Sequence, residues 1–215
     1  MNTLFITATG TNVGKTHTTL RLIGLLAEKG VKPGVYKPIE TGVANEAADA
    51  TALLQACQLV NPDFKSLTVQ DITAYTFKLP AAPFCADLEH KIDLQYLIRK
   101  HEMLLKRCDI LLVEGAGGLM VPITREYLII NLIKELESKA LLVTPSRLGC
   151  INDTLLSIMA LRSFDIDFEW CVNLYEDKKD FSKVTQPYYD EVFPGWWSTE
   201  EGLEKFAESL QEQIL

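Results

Sequence analysis

Apolar residues along the chain alternate between short continuous runs and stretches with helical spacing. Residues 3–8, TLFITA, form an apolar, β-branched run that ends at a Gly/Thr/Asn cluster, and residues 15–30 continue with apolar positions at helical spacing. Residues 35–38 predict a second short strand that Pro38 ends, and residues 45–58 predict a second helix. The chain therefore begins as strand, loop, helix, strand, helix.

The middle of the chain has a different character. Residues 59–91 contain three prolines and one plausible strand, at 72–77, which is typical of an excursion over the surface or over a site. Residues 93–107 predict a helix. Residues 108–115, CDILLVEG, are almost wholly apolar and end in a carboxylate, which indicates a parallel strand covered on both faces. We expect this strand to be the centre of the sheet.

The remaining pattern repeats helix and strand. A helix is predicted at 128–138, a strand at 139–146, a helix at 151–164, a strand at 168–175 and an amphipathic closing helix at 199–215. This alternation predicts an α/β protein with a mainly parallel sheet flanked by helices on both faces, built as a single domain. In such sheets ligands bind at the carboxyl ends of the strands, so the loops after strands are where chemistry is expected.

Composition excludes several classes of function. The 215 residues carry a formal net charge of −8 and no Lys/Arg tract, which argues against nucleic acid as a partner. No basic segment precedes an apolar stretch at the start, and no apolar run approaches about 18 residues, so neither secretion nor membrane insertion is predicted. An odd number of widely spaced cysteines indicates reduced thiols and a cytoplasmic protein. They are Cys57, Cys85, Cys108, Cys150 and Cys171.

The first stretch that could carry chemistry is GTNVGKT at residues 10–16. The strict Walker A spacing asks for glycine at position 9, where this chain has threonine. Even so, the glycines let backbone N–H groups surround phosphate oxygens, Lys15 can reach the β- and γ-phosphates, and Thr16 can bind Mg²⁺. The strand before it and the helix after it favour a phosphate-binding loop over a chance match at a helix start.

Two further strand ends offer charged groups. Lys37 stands at the end of the second strand, where it could hold a carboxylate or phosphate, although a lone surface lysine is a weak signal. Glu114 follows four apolar residues, as the Walker B acid does beside nucleotide-bound Mg²⁺. The glycines that follow it at residues 115–118 allow a ligand to approach the backbone closely.

Two other candidates are ambiguous from composition alone. Asp49 fits an ordinary acid in the first turn of a helix at least as well as a metal ligand. The segment 149–152 opens a helix, where free N–H groups could hold an anion, but its Cys150 has no basic partner in sequence and is better explained as a buried thiol than as a nucleophile.

Taken together, these stretches resemble the dethiobiotin synthetase family of P-loop NTPases. The resemblance runs in family order through FITATGTNVGKT (5–16), GVYKPIETG (34–42), Asp49, YTFKLPAAPFCA (75–86), LLVEGAGGLMVP (111–122), RLGCIND (147–153) and WCVN (170–173). The family loop has five residues between its glycines, which accounts for the failed strict pattern. Ala8 then takes the place of the first glycine and Gly10 that of the usual acid, and alanine is strained there only if its φ is positive.

The resemblance implies an ATP-dependent cyclo-ligase of biotin biosynthesis. The family reaction takes 7,8-diaminopelargonate, CO₂ and MgATP to dethiobiotin, ADP and phosphate. One amine captures CO₂ as a carbamate, the carbamate oxygen attacks the γ-phosphorus, and the second amine closes the ureido ring by expelling phosphate. ATP and CO₂ are therefore co-substrates and Mg²⁺ is the cofactor. Such chemistry depends mainly on positioning and charge neutralisation.

The resemblance also implies roles for individual residues. The catalytic residues would be Thr11, Lys15 and Lys37. Nucleotide contacts would come from Asn12, Val13, Gly14, Lys15, Thr16, His17 and, at the adenine base, Asn173. The Mg²⁺ ligands would be Thr16, Asp49 and Glu114. Substrate contacts would come from Thr41, Glu114, Gly115, Ala116, Gly117, Gly118, Gly149, Cys150, Ile151 and Asn152, the last four reaching the site of the other subunit of a homodimer.

The chain departs from the family pattern, and other classes compete with it. Ala82 and Phe84 stand where the family usually has serine and histidine, and the segment after Asn173 is unlike the family's.

A switch ATPase of the partitioning or septum-site type shares the sheet and loop, but it would carry a lysine early in the loop. A cobalamin-type amidoligase would need an appended domain. A non-catalytic nucleotide-binding scaffold requires that Lys37 and Glu114 do not face the loop.

Overall fold

The computed structural model describes residues 2–175 and 178–214. A six-stranded sheet has the order β2-β5-β1-β6-β7-β8, and a separate two-stranded sheet pairs β3 with β4. The strands are β1 (Thr3–Ala8), β2 (Pro33–Tyr36), β3 (Ile39–Thr41), β4 (Tyr75–Phe77), β5 (Ile110–Gly118), β6 (Lys139–Pro145), β7 (Phe168–Asn173) and β8 (Trp197–Ser198). The helices are α1 (Lys15–Glu28), α2 (Ala48–Val60), α3 (Val69–Ile72), α4 (Pro83–Ala86), α5 (Leu94–Leu105), α6 (Ile129–Glu135), α7 (Cys150–Ser163), α8 (Lys178–Val184), α9 (Gln186–Val192) and α10 (Leu203–Ile214).

The predicted fold class is confirmed. Neighbouring strands of the large sheet pair in parallel, and helices follow the strands along the chain. All six residues of β1 are buried, as are the first six of β5, so these strands are covered on both faces. Such burial is expected of a parallel sheet enclosed between helical layers.

The prediction that residues 108–115 form the centre of the sheet is wrong in detail. β5 lies between β2 and β1, second in the order, whereas β1 and β6 are the two central strands. A continuous apolar run shows that a strand is interior, because every interior strand of a parallel sheet is buried on both faces. It does not show which interior position the strand takes.

The proline-rich excursion is confirmed, with more local structure than the pattern predicts. It contains a 3₁₀ turn at Pro62–Phe64, the short helices α3 and α4, and β4. Of the predicted strand 72–77, only Tyr75–Phe77 is extended, and it pairs with β3. The small sheet therefore leads the chain away from the large sheet directly after Lys37.

The segment after Asn173 contains α8, α9 and β8, which the pattern does not predict. Aromatic rings pack edge-on there: Trp170 lies 5.2 Å from Tyr189 and 5.3 Å from Phe193, and Phe181 lies 5.7 Å from Trp196, as ring-centroid distances. These aromatic residues therefore form a packed cluster beside β7. The closing helix is confirmed as α10; residue 215, its predicted last position, lies outside the described residues.

Within residues 2–175 and 178–214, no helix is both long enough and apolar enough to cross a bilayer.

Candidate active site

The loop between β1 and α1 has the backbone of a phosphate-binding loop. Gly14 adopts a left-handed conformation, with φ of 105°, and directly precedes the first residue of α1. Lys15 folds back over the loop, and its Nζ donates to the carbonyl oxygen of Gly10 at 2.9 Å. Ala8 is not among the described non-glycine residues with positive φ, so alanine at the family's first glycine position is unstrained.

Asn173, at the end of β7, packs against this loop. Its Nδ2 donates to the carbonyl oxygen of Val13 at 2.9 Å, and its Oδ1 accepts from Thr199 Oγ1 at 3.2 Å. A Cβ added at Gly14 would lie 2.1 Å from Asn173 Nδ2. The amide therefore joins the loop to the segment after β8, and only glycine at position 14 leaves it room.

Lys37 and Glu114 form a buried ion pair beneath the loop. Lys37 Nζ lies 2.6 Å from Glu114 Oε1 and 3.3 Å from Asp49 Oδ2. Glu114 is fully buried and Lys37 is 3% exposed. The side-by-side pairing of β2 and β5 brings the two residues together, because both strands end at the same edge of the sheet.

The carboxylate of Glu114 also accepts two hydroxyl hydrogen bonds from α1. Thr16 Oγ1 donates to Oε1 at 3.0 Å, and Thr19 Oγ1 lies 3.1 Å from Oε2. Thr16 was predicted from the loop motif, whereas Thr19 was missed. Its signal in the sequence is its position, since it follows Thr16 by three residues and so lies on the same face of α1.

Glu40, directly after the start of β3, holds Asp49 at the site. Its two carboxylate oxygens accept from the backbone N–H groups of Asp49, at 3.1 Å, and of Ala50, at 2.9 Å. Burial raises the pKa of Glu40, against the opposing effect of these two N–H donors. Asp49 is indeed an acid in the first turn of α2, and it also faces Lys37, so the two interpretations of Asp49 are compatible.

Burial and neighbouring charges act differently on the two lysines. Burial, with a smaller effect from Lys37, lowers the pKa of Lys15 to about 8. Burial also opposes the charge on Lys37, but the carboxylates of Glu114 and Asp49 outweigh it and raise the pKa of Lys37 above its ordinary value. The carboxylates therefore favour the charged form of Lys37, whereas an anion placed beside Lys15 would favour the charged form of that lysine.

A cavity of about 1120 Å³ opens above these groups. Most of the predicted site residues line it: Thr11, Asn12, Gly14, Lys15, Thr16, His17, Lys37, Thr41, Asp49, Gly115, Ala116, Gly117 and Asn173. The structure adds lining residues that the sequence did not indicate as contacts: Ile39, Glu40, Pro80, Ala81, Pro83, Val121, Leu174, Tyr175, Thr199 and Glu200. Val13, Glu114 and Gly118 are buried beside the cavity instead of lining it.

The predicted segment 149–152 lies outside this cavity. Gly149 has a φ of 92° and precedes α7, and Cys150 is fully buried. The thiol of Cys150 contacts Tyr189 Oη at 3.7 Å and Thr185 Oγ1 at 4.0 Å. This burial fits the structural interpretation of Cys150, whereas Gly149 and Asn152 are the exposed residues of the segment.

The two departures in the excursion have different positions. Ala82 lines the main cavity. Phe84 lines a second cavity, of about 510 Å³, where its ring lies 6.1 Å from the ring of His90 between centroids. The departure at Ala82 therefore removes a polar side chain from the main cavity, whereas the departure at Phe84 affects the second cavity.

The parallel sheet, the loop at the start of α1 and the buried acid at the end of β5 define a P-loop nucleotide-binding protein. Residues 2–172 match the AAA domain family model AAA_26. The chain is 65% identical over 210 residues to ATP-dependent dethiobiotin synthetase BioD of Sulfurovum sp. strain NBC37-1, covering 98% of this chain and 100% of the relative. It is 38% identical over 217 residues to the BioD of Wolinella succinogenes, with both chains fully covered. The chain belongs to the ATP-dependent dethiobiotin synthetase family, a family of ATP-dependent ligases.

Solved structures share the fold with low sequence identity. A plasmid partition protein from Borrelia burgdorferi superposes with a TM-score of 0.58 at 11% identity, over 99% of this chain and 97% of that one. Such a likeness shows a common architecture alone. The switch-ATPase alternative thus shares this fold, whereas the sequence relationship is to the synthetases.

Proposed function

We propose that this chain is a dethiobiotin synthetase, which converts 7,8-diaminopelargonate, CO₂ and MgATP to dethiobiotin, ADP and phosphate in biotin biosynthesis. One observation carries the proposal: Glu114 Oε1 lies 2.6 Å from Lys37 Nζ and also accepts from Thr16 at 3.0 Å. A lysine suited to an anionic intermediate, an acid suited to Mg²⁺ and the phosphate loop thus meet at one point. The same contacts argue against a non-catalytic scaffold.

The reaction proceeds in three steps. One amine of the substrate attacks CO₂ and loses a proton, which gives a carbamate. A carbamate oxygen then attacks the γ-phosphorus and displaces ADP, forming a carbamic–phosphoric anhydride. The second amine attacks the carbonyl carbon of this anhydride, closes the ureido ring and expels phosphate.

Three side chains are proposed to stabilise charge during these steps. Lys15 holds the β- and γ-phosphates; a nearby phosphate favours its charged form and so counteracts the lowering of its pKa by burial. Lys37, kept cationic by two carboxylates, stabilises the carbamate and the transferring phosphoryl group. Thr11 is exposed at the rim of the cavity, where its hydroxyl can donate to a carbamate or phosphate oxygen.

The oxygen groups around Lys37 fit a magnesium ion. Mg²⁺ prefers oxygen ligands and is usually held by one or two carboxylates together with substrate phosphates. A hydroxyl and two carboxylates are supplied at the loop by Thr16, Asp49 and Glu114. Thr16 contacts Glu114, and both carboxylates contact Lys37. When bound there, Mg²⁺ would neutralise charge on the β- and γ-phosphates.

The substrate is proposed to lie along the glycines after Glu114. Thr41 and residues 115–117 line the cavity on that side, and Gly117 has a φ of 70°, which glycine adopts without strain. Gly118 lies behind them, where an added Cβ would come within 3.1 Å of the carbonyl oxygen of Ala8. These residues allow backbone groups to approach the diamine and its carbamate closely.

We propose that the active form is a homodimer that shares this site. Residues 149–152 lie away from the cavity of their own chain, which fits a role in the site of the other subunit. On the same helix, Leu156 and Met159 are 58% and 65% exposed, and Leu148 just before it is 78% exposed. An exposed apolar strip of this kind is typical of a protein interface. The substrate's carboxylate would then be held at the start of the partner's α7.

The nucleotide base is proposed to lie near Asn173. Leu174, Tyr175 and Thr199 extend the cavity past this residue. Both ends of the Asn173 amide are already paired, so its contribution to nucleotide binding includes holding the loop at Val13. Rates with ATP, GTP and CTP at limiting concentration measure how far the base is recognised, and we expect ATP to be preferred.

The five free cysteines fit a cytoplasmic location.

The proposal is tested with purified protein, 7,8-diaminopelargonate, bicarbonate and MgATP. We expect phosphate release that depends on the diamine, together with a ureido product detected by mass spectrometry. ATP hydrolysis that ignores the diamine but responds to DNA or lipid would refute the synthetase function. Lys37→Ala is expected to abolish nearly all turnover while nucleotide binding persists. Loss of nucleotide binding in a Lys37→Ala protein that is still folded would show that the role of Lys37 is wrongly assigned.

A further inference from the structure

Thr19 contacts the carboxylate of Glu114 from α1. It is fully buried on α1, and its Oγ1 is 3.1 Å from Oε2 of Glu114. The other oxygen of that carboxylate, Oε1, accepts from Lys37 and Thr16. In the part of the chain that the structure describes, Thr19 is the hydrogen-bond donor to Oε2. The two carboxylate oxygens therefore have separate sets of donors.

We infer that Thr19 is a positioning residue for the reaction, one that sets the orientation of the Glu114 carboxylate. The inference rests on the proposed function, in which Glu114 serves as a ligand of the nucleotide's Mg²⁺. Thr19 holds Oε2 from the helix side, so that Oε1 stays turned toward Thr16 and Lys37. Thr19 does not line the main cavity, so it would act through Glu114.

The hydroxyl of Thr19 has one proton and two acceptors within reach. The carbonyl oxygen of Lys15 lies 2.9 Å away, and Glu114 Oε2 lies 3.1 Å away. The Lys15 carbonyl is already the acceptor of a helical N–H group, four residues on. A carboxylate is the stronger acceptor, because hydrogen bonds to ionised groups are roughly twice as strong as those between neutral groups. The carboxylate of Glu114 is therefore the favoured acceptor of the Thr19 proton.

The burial of Glu114 gives this hydrogen bond its importance. A fully buried carboxylate has no water to replace a lost donor, and it costs free energy to leave such an oxygen unpaired. Without the hydroxyl, rotation of the carboxylate would restore a donor to Oε2 only by removing one from Oε1. Partners that orient a metal ligand in this way typically change metal affinity or activity 10- to 100-fold when they are removed.

Thr18 provides a matched control on the same helix. It is also fully buried, and its Oγ1 donates to the carbonyl oxygen of Gly14, four residues before it, at 2.9 Å. Both threonines are therefore fully buried on α1, and both bond to a carbonyl oxygen of the preceding turn. Thr19 differs because it also contacts Glu114.

The experiment compares Thr19→Val, Thr19→Ser and Thr18→Val in the full-length protein. Binding of a fluorescent ATP analogue is titrated with Mg²⁺, without the diamine, and the melting temperature is recorded for each variant. We expect Thr19→Val to raise the half-saturating Mg²⁺ concentration roughly 10- to 100-fold. Thr19→Ser, which keeps the hydroxyl, should restore the wild-type value, and Thr18→Val should leave that value unchanged.

A Thr19→Val variant whose Mg²⁺ requirement matches that of Thr18→Val, with similar losses of melting temperature in both, would overturn the inference. Thr19→Ala gives the same comparison if the valine variant does not fold. Because the titration omits the diamine, the outcome is independent of the substrate. A wild-type protein that binds Mg²⁺ and nucleotide but does not turn over the diamine contradicts the proposed function and leaves Thr19 to be judged by its own titration.

Discussion

Removal of Lys37 should destabilise the nucleotide-free protein strongly. The perturbation is Lys37→Met, which keeps the length of the side chain and removes its charge. Glu114 then remains fully buried with two hydroxyl donors and no cation within 2.6 Å. Breaking a buried ion pair by removing one partner costs about 3–5 kcal/mol, because the other charge is left uncompensated.

The expected loss is measurable in two ways. In a chain of this size, 1 kcal/mol corresponds to roughly 2–4 °C, so the melting temperature should fall by about 6–20 °C. Urea denaturation in EDTA, without nucleotide, gives the free energy of unfolding directly. Glu114→Gln and the double variant complete a cycle, and the double variant should recover most of the loss, because neutralising Glu114 removes the uncompensated buried charge.

A surface ion pair supplies the control. Lys29 Nζ lies 3.0 Å from Glu208 Oε1, whose side chain is 54% exposed. Exposed pairs contribute about 0–1 kcal/mol, so Lys29→Met should have a small effect. If Lys37→Met loses no more stability than Lys29→Met, or if the double variant is no more stable than the single variants, the buried ion pair does not stabilise the nucleotide-free protein.

Three further results are expected. Gly14→Ala should weaken nucleotide binding at least tenfold, because the added Cβ would lie 2.1 Å from Asn173 Nδ2 and the φ of residue 14 is 105°. Titration with a fluorescent nucleotide measures this loss. Gly10→Ala is the control, since a Cβ added at Gly10 meets no atom within 4 Å, and equal losses in the two variants would contradict this account. Burial lowers the pKa of His101 below 6.5, so the unfolded state takes up the proton first and stability should fall as pH drops below about 6.5. His101→Gln should reduce the loss of unfolding free energy with falling pH, measured by urea titrations at several pH values. An unchanged pH dependence would contradict this role of His101. Leu156→Glu should give a monomer in sedimentation and abolish turnover; a dimer of wild-type activity would place the interface elsewhere.

Much of the fold could be predicted from local pattern. The apolar runs of β1, β5, β6 and β7 and the helical spacing of α1 are properties of neighbouring residues, and they specify element type and the parallel arrangement. The segment after Asn173 could not be predicted in this way. Its helices α8 and α9 are short, and the aromatic packing of Trp170 against Tyr189 and Phe193 joins β7 to a later part of the chain.

The candidate site divides along the same line. By itself the sequence determined the phosphate loop, because Gly14, Lys15 and Thr16 act through backbone freedom and spacing that neighbouring residues specify. It also indicated the acid at the end of the buried strand. The register of β2 against β5 decided that Lys37 and Glu114 meet as a buried pair, and the packing of α1 on β5 decided that Thr19 reaches the same carboxylate. These contacts join residues 77 and 95 positions apart, and only the tertiary arrangement of strands and helix brings them within hydrogen-bonding distance.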